Sequence, residues 1–293
     1  MAHRAGIPGG RLMRATLAVI LARGLGTRLR DDDGSALDEA QAAAAAVGTK
    51  ALVPLRGRPL LDYVLHELAD GGVRDVVLVV PPGDSPLRER YEGEHQPSRV
   101  GVRFAVQEEP RGTAHALLAA REAVCAALGA ARDADGRRHF LMCNADNLYS
   151  AAAIEALVDA RGPGLVAFEA EALLREGGID PERLARFALV KIAADDTLQD
   201  IVEKPDPNHP LLTAPSRWVS MNLWRFRDTV FDACADVEPS PRGELELADA
   251  VRLAMQRGER FDVHRRAEPV FDLTHRRDIA ALEARLTGRV PRP

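Results

Sequence analysis

Short apolar runs alternate with stretches of helical periodicity along the first 170 residues of the chain. Each run is bounded by glycine, proline or polar residues, which is typical of buried strands. Strands are predicted over Thr16–Ala22, Val76–Val80, Val102–Gln107, His139–Cys143 and Leu165–Ala170, and helices over Pro59–Ala69, Thr113–Leu128 and Ala151–Ala160. Strands that alternate with helices form a mostly parallel sheet, which binds ligands at the carboxyl ends of its strands. The pattern therefore predicts an α/β fold with a doubly wound, Rossmann-like sheet.

After about residue 171 the alternation gives way to closely spaced strands. Strands are predicted over Phe187–Ile192, Thr197–Val202, Trp218–Phe226, Phe261–His264 and Val270–Leu273, and helices over Glu244–Gln256 and Thr274–Leu286. No internal repeat and no serine- and proline-rich linker separates this part from the first. We expect one domain over residues 15–290, in which the second half (171–290) is added onto the sheet of the first (15–170). The polar, glycine-rich residues 1–14 are expected to be a disordered lead-in.

Composition and charge exclude several classes of protein. The chain has 293 residues, 46% of them hydrophobic and 28% charged, as in an ordinary soluble globular protein. A net charge of −5 gives no overall attraction for nucleic acid or anionic lipid. The longest apolar run, Leu17–Ala22, is too short to span a bilayer. With no recognisable signal peptide in residues 1–14, we expect a cytoplasmic protein without nucleic-acid or membrane partners.

Cysteine and lysine are both scarce, and each scarcity is informative. The three cysteines lie far apart in sequence, which excludes a disulfide scaffold and a CxxC zinc site. Of the 39 basic residues only Lys50, Lys191 and Lys204 are lysines, and the others are arginines. A compact ammonium on a flexible stem differs chemically from a planar guanidinium, so surviving lysines are candidates for chemistry.

A glycine-rich turn directly follows the first predicted strand. Gly24 and Gly26 let the backbone approach an anion and direct its N–H groups toward it, and Arg28 offers a fork of donors to phosphate. The dinucleotide-binding fingerprint is excluded because Leu29 stands at the position of its third glycine. A P-loop is excluded because no Gly-Lys-Ser/Thr follows. The turn is also compatible with a tight connection that binds nothing.

Three further segments place polar side chains at predicted strand ends. Gln107 offers an amide edge that could bind a base, and Gly112 lets a planar ligand approach the start of the next predicted helix. Gly112 and Thr113 also fit an ordinary helix cap that binds no ligand. We expect His115, inside the helix, to be a packed histidine. Asp146 and Asp272 end two other strands, where carboxylates suit Mg²⁺. An Asx turn and a helix cap are the alternative explanations for these two aspartates.

Taken in order, these segments resemble the motifs of the sugar-1-phosphate nucleotidyltransferase family. The resemblance begins with Gly24-Leu-Gly-Thr-Arg-Leu29 and the lysine Lys50 that follows it, and continues through the segment Gln107–Ala116. It then includes Asp146, the Glu203-Lys-Pro205 motif and Asp272, and it spans roughly residues 16–286. Several motifs in the family's order are far more specific than any one of them alone.

The resemblance implies a role for each matching residue. Arg28, Lys50 and Lys204 would be catalytic; Ala22, Gly24, Gly26, Thr27, Gln107, Gly112 and Thr113 would bind the nucleotide; Glu203, Lys204 and Asn222 would bind the sugar phosphate; and Asp146 and Asp272 would hold Mg²⁺. Residues 15–170 would then be the nucleotide-binding half and 171–290 the sugar-binding half of one nucleotidyltransferase domain. Homo-oligomers are common in the family.

The implied reaction is Mg²⁺-dependent: a nucleoside triphosphate and a sugar 1-phosphate give a nucleoside diphosphate sugar and pyrophosphate. The base segment is most similar to the uridylyltransferase members, which favours UTP. Alternatives are a cytidylyltransferase for a non-sugar phosphate, a glycosyltransferase that uses nucleotide sugars, and a non-catalytic sensor of nucleotide or sugar phosphate.

Several positions depart from the family pattern. Arg23 and Ala188 stand where the family usually has glycine, and Thr49 stands where it has proline. Asn222 also occupies a position where glycine is frequent. The segment between Arg28 and Lys50 is longer than usual and carries three consecutive aspartates, which we expect to point away from the phosphates, to move, or to help hold Mg²⁺. These departures keep the sensor alternative open.

Overall fold

A twisted sheet of nine strands forms the centre of the described part of the molecule. The computed structural model describes residues 14–24, 26–93, 95–130, 132 and 136–293. Its strands are β1 Leu17–Leu21, β2 Pro54–Leu55, β3 Arg58–Pro59, β4 Asp75–Val80, β5 Gly101–Val106, β6 His139–Asn144, β7 Asn147–Leu148, β8 Gly164–Glu169, β9 Ala188–Ile192, β10 Leu198–Val202, β11 Trp218–Arg227, β12 Asp262–Arg266 and β13 Phe271–Asp272. The predicted lead-in falls almost entirely on residues 1–13, which lie outside the described residues.

Helices cover both faces of this sheet. They are α1 Thr27–Arg30, α2 Glu39–Val47, α3 Leu60–Asp70, α4 Pro86–Glu92, α5 Thr113–Ala119, α6 Arg121–Leu128, α7 Ala151–Val158, α8 Ala170–Glu176, α9 Pro181–Leu184, α10 Val230–Asp236, α11 Leu247–Gln256 and α12 Arg277–Arg285. No helix in the described ranges combines the length and the apolar character that a membrane span requires.

The strand order joins both halves of the chain in one sheet. Strands β6, β1, β4 and β5 are parallel neighbours, so their carboxyl ends lie at the same edge. Strand β11 runs antiparallel to β6 along Trp224–Arg227 and antiparallel to β9 along Trp218–Ser220. Strand β8 pairs with β11 and β12. The predicted α/β class with a largely parallel sheet is confirmed.

Apolar side chains on both faces of the central strands explain the layered packing. In β1, Ala18 and Ile20 contribute to the core on one face, while Leu17 and Val19 contribute to the core on the other. All four are at most 2% exposed. A strand buried on both faces has a continuous apolar sequence, and such a strand belongs in the middle of a sheet covered by helices.

Some predicted boundaries were wrong. The single helix predicted over Thr113–Leu128 is two helices, α5 and α6, separated at Ala120. There the backbone N–H of Ala120 donates to Leu117 O at 3.0 Å, which is the tighter bond of a 3₁₀ turn. The short helices α4, α8, α9 and α10 were not predicted.

Candidate active site

An open cavity of about 380 Å³ lies at the carboxyl ends of β1, β5 and β6. It is lined by every residue that was predicted to bind nucleotide: Ala22, Gly24, Gly26, Thr27, Gln107, Gly112 and Thr113. Lys50 and Asp146 line the same cavity. The structure therefore brings the glycine turn, the base segment, one predicted catalytic lysine and one predicted metal ligand together around a single space.

Gly26 shows why the turn after β1 requires glycine. Its φ is +57°, in the left-handed region, and a Cβ there would lie 2.1 Å from the carbonyl oxygen of Gly48. Gly48 ends helix α2, and its carbonyl accepts a hydrogen bond from the backbone of Lys50 at 3.1 Å. The long segment that precedes Lys50 is therefore packed directly against the glycine turn and positions the lysine beside it.

The acidic side chains of that segment point away from the cavity. Asp32 lies 3.3 Å from the guanidinium of Arg276, and Asp33 accepts a hydrogen bond at 3.1 Å from the backbone of Arg277 at the start of α12. None of the three consecutive aspartates lines this cavity. The geometry agrees with the expectation that these aspartates point away from the phosphates.

Arg28 lies at the edge of this arrangement rather than in it. Its side chain is exposed and does not line the cavity. Among the described residues it has no hydrogen-bond or ion-pair partner, although its charge is close enough to act on the pKa of Lys50. An arginine in this position is free to fold over a bound phosphate.

Hydrogen bonds fix the base segment on several sides. The Nε2 of Gln107 donates to Gly112 O at 3.2 Å and lies 3.1 Å from Nδ1 of His115. Burial and the nearby Arg111 lower the pKa of His115, so its ring is neutral and Nδ1 can accept. Gly112 has a φ of +113°, and a Cβ there would lie 2.5 Å from Leu245 O. The oxygen Oγ1 of Thr113 accepts a hydrogen bond from the backbone N–H of Leu247, the first residue of α11, which ties the base segment to the second half of the chain.

Asp146 and Asp272, which are 126 positions apart in sequence, lie side by side. The backbone N–H of Leu273 donates to Asp146 O at 3.0 Å, and Asp272 pairs with Asn147 between β13 and β7. Lys50 Nζ is 2.7 Å from Asp146 Oδ2. Although burial opposes it, the Asp146 and Asp272 carboxylates raise the pKa of Lys50, so the lysine is charged.

Asp272 is almost enclosed, with 9% of its surface exposed. Its Oδ1 accepts from Asn147 at 2.9 Å, and its Oδ2 accepts from Thr274 at 2.5 Å and from the buried guanidinium of Arg183. Burial, and then the neighbouring Asp146 charge, raise the pKa of Asp272. The second predicted metal ligand is thus held rigidly by three donors.

The carboxylates of Asp146 and Asp272 fit a magnesium ion whose other ligands are not protein side chains. Mg²⁺ is commonly held by one or two carboxylates together with water and substrate phosphates. Among the described residues, Asp146 Oδ1 has no hydrogen-bond donor and Asp272 Oδ1 has one, so both retain lone pairs. No group of three or more metal-binding side chains occurs in the described part of the chain. The remaining ligands would have to come from substrate and water.

A second cavity, of about 140 Å³, shares the wall formed by Asn144 and Asp146 with the first. Glu203, Asn222 and Asp272 line it. Its remaining wall consists of Asn147, Arg186, Phe187, Ala188, Ser220 and Met221. Three of the four asparagines of the chain lie here, so this small polar space offers amide groups that suit hydroxyl groups.

Asn222 and Lys204 both have left-handed backbone conformations beside this cavity. Their φ angles are +58° and +45°, and Asn222 lies where the register of β11 shifts between Ser220 and Trp224. Asparagine tolerates this region better than most residues, which explains why it can replace glycine. Lys204 lines neither cavity; its Nζ lies 3.8 Å from Glu244 and 4.0 Å from Glu203.

The carboxyl of Glu203, which lines the second cavity, also has a raised pKa. Burial, together with the neighbouring Glu246 charge, raises its pKa to about 7. Arg242 acts in the opposite direction, and its Nη2 pairs with Glu246 at 2.8 Å. Arg242 and the buried Arg183 were not predicted from the sequence. Arg242 lies just before the helix predicted over Glu244–Gln256, and nothing local marks either arginine as part of the site.

Comparisons with known proteins agree on one family. The family model described as nucleotidyl transferase matches residues 17–268. The low-salt glycan biosynthesis nucleotidyltransferase Agl11 of Haloferax volcanii is 27% identical over 246 residues, which is 84% of this chain and 59% of that relative. The UTP–glucose-1-phosphate uridylyltransferase AglF of the same organism is 27% identical over 269 residues, covering 92% of this chain and 96% of AglF.

A solved structure shares the fold at low sequence identity. UDP-glucose pyrophosphorylase complexed with UDP-glucose superimposes with a TM-score of 0.71 at 15% identity, over 94% of this chain and all of that one. At this identity the likeness concerns the fold alone.

Proposed function

Because the chain belongs to the nucleotidyl transferase family, we propose that it joins a nucleoside triphosphate to a sugar 1-phosphate and releases pyrophosphate. In this proposal Mg²⁺ is the cofactor, UTP is the favoured nucleotide and the cytoplasm is the compartment. The observation that carries the proposal is the wall shared by the two cavities. A nucleotide in the larger cavity and a sugar phosphate in the smaller one would meet at Asn144 and Asp146.

The reaction is an in-line displacement. An anionic oxygen of the sugar phosphate forms a bond to the α-phosphorus, and the bond between this phosphorus and the oxygen that bridges to the β-phosphate breaks. The electron pair of that bond leaves with pyrophosphate. The attacking oxygen is already ionised, so no general base is required. Charge neutralisation and alignment supply most of the rate in such chemistry.

In this proposal Lys50, Arg28 and Lys204 neutralise the phosphates of the two substrates. Lys50, with its side chain 18% exposed beside the glycine turn, would bind the leaving phosphates together with Arg28. Lys204 Nζ lies 4.0 Å from Glu203, which lines the smaller cavity, and 3.8 Å from Glu244, which lines the larger one. There it would neutralise the incoming sugar phosphate.

The carboxylates would complete this arrangement. Asp146 and Asp272 would hold Mg²⁺, which supplies positive charge to the phosphates when bound. Glu203 and Asn222 would orient the sugar hydroxyls. The two halves of the site would thereby align both substrates.

A pyrophosphate-release assay tests the proposal. The purified protein is incubated with each common nucleoside triphosphate and a panel of sugar 1-phosphates, with Mg²⁺ or with EDTA. We expect release that requires both substrates and Mg²⁺ and is fastest with UTP. Nucleotide binding without release under any combination would contradict the enzyme and support a sensor. Release with phosphocholine in place of a sugar phosphate would support a cytidylyltransferase instead.

A further inference from the structure

The side chain of Arg23 connects two distant parts of the larger cavity. Its Nε donates to Gln107 O at 2.6 Å and its Nη2 donates to Glu108 O at 3.0 Å. Arg23 follows β1, whereas Gln107 follows β5, and β4 lies between these two strands. One side chain therefore crosses a strand to bind the backbone of the base segment to the glycine turn.

The charge of Arg23 has no carboxylate partner within the described residues. Its contacts are two backbone carbonyls, and its Nη1 is buried without a hydrogen-bond partner. An arginine remains charged in a protein, and an unpartnered buried donor costs free energy. Arg23 also lines the cavity, so the guanidinium that bridges the two segments borders the space that a ligand would occupy.

The hydrogen bond from Arg23 also helps to hold the backbone of Gln107 in place. The backbone N–H of Gln107 donates to Val80 O at 3.0 Å, and its carbonyl accepts from Arg23. Because Nε2 faces the oxygen of Gly112, the acceptor Oε1 is the atom of this amide that remains for a ligand. A base with a ring N–H, such as the N3–H of uracil, matches an acceptor, whereas N3 of cytosine is itself an acceptor.

We propose that Arg23 is a positioning residue that fastens the base segment to the phosphate-binding turn, so that nucleotide affinity and base selectivity depend on it. The inference rests on the proposed function, because it takes the larger cavity to be a nucleotide site. Glycine, the usual residue of the family at this position, has no side chain that could make the bridge.

Calorimetric binding of UTP, CTP and inorganic tripolyphosphate to the full chain tests this role without turnover. For Arg23→Gly and Arg23→Met we expect UTP affinity to fall about tenfold, as for the loss of a charge-assisted hydrogen bond. The preference for UTP over CTP should narrow, and tripolyphosphate affinity should change by less than about twofold. Arg23→Lys keeps the charge but cannot donate to both the Gln107 and Glu108 carbonyls in the same way. Its preference for UTP over CTP should therefore narrow as well.

A matched control removes an arginine that is remote from the cavity. Arg103→Met deletes an exposed side chain of β5 that pairs with Asp75, and it should bind all three ligands as the wild type does. Equal losses of UTP and tripolyphosphate affinity in Arg23→Gly would make Arg23 a phosphate ligand and overturn the positioning role. Unchanged UTP binding in Arg23→Gly would overturn it as well.

The same titrations separate this inference from the proposed function. Wild-type protein that binds UTP but releases no pyrophosphate with any sugar phosphate contradicts the function alone, and the Arg23 variants still decide the inference. Wild-type protein that binds no nucleotide contradicts both.

Discussion

Replacing Glu203 by glutamine should stabilise the folded chain at alkaline pH while impairing the proposed reaction. The pKa of this carboxyl is raised from 4.5 to about 7, first by burial and then by Glu246. The ionised form is thus unfavourable in the folded state. A glutamine of the same shape carries no charge and removes this penalty.

The sign and size follow from linkage. Below pH 4.5 the carboxyl is protonated in both states and costs nothing, and the penalty grows between pH 4.5 and about 7 as only the unfolded state ionises readily. Above pH 7 the full penalty of about 3 kcal/mol applies. The side chain is 23% exposed, so about 3 kcal/mol is the upper end of the expected gain.

Urea unfolding of both proteins at pH 4.5 and pH 8 measures this difference. We expect Glu203→Gln to match the wild type at the lower pH and to unfold at higher urea at the upper pH. Glu155→Gln, at an exposed position on α7, is the matched control and should show no pH-dependent difference. An equal free energy of unfolding for Glu203→Gln and wild type at pH 8 would refute the reasoning. Pyrophosphate release by the variant should show a raised KM for the sugar phosphate.

Four other substitutions test the site. Asp146→Asn and Lys204→Ala should each abolish pyrophosphate release while leaving the circular dichroism spectrum unchanged; release at near wild-type rate would contradict their roles. Lys50→Met should bind Mn²⁺ about tenfold more tightly without nucleotide, because it removes an ammonium that lies 2.7 Å from Asp146 Oδ2. Electron paramagnetic resonance measures the free Mn²⁺. An unchanged affinity would count against a cation site at Asp146. Gly112→Ala should lower the free energy of unfolding by about 2 kcal/mol more than Gly83→Ala does. Both glycines have a positive φ, but only at Gly112 would a Cβ overlap the backbone, at Leu245. Equal losses of stability in thermal unfolding would contradict this steric overlap.

Much of the fold could be predicted from local pattern. The strands that are buried on both faces are the apolar runs, and their order along the chain predicted the parallel part of the sheet. The short helices α8 and α9 were missed because four to seven residues hold too few turns to show a period. The separation at Ala120 was missed because the residues on both sides of it, Ala119 and Arg121-Glu122, all favour a helix.

The residues of the candidate site could be predicted where they belong to motifs that follow one another in the family's order, and not elsewhere. Of the three scarce lysines, Lys50 lines the larger cavity and Lys204 lies next to Glu203 in the wall of the smaller one, whereas Lys191 is exposed on β9. The clamp of Arg183 on Asp272 joins residues 89 positions apart, and no local pattern encodes such a contact. The bridge from Arg23 to Gln107 was equally hidden, although the arginine itself was visible as a departure from glycine.

Strand β11 also limits how the molecule can admit its substrates. It is bonded to β6 and β8 of the first half and to β9 of the second. A hinge that swung the halves apart would have to break these backbone bonds, which costs far more than rearranging loops. Entry and exit of substrates are therefore the task of the connections at the sheet edge, and slow opening of the whole body is not a step that this architecture allows.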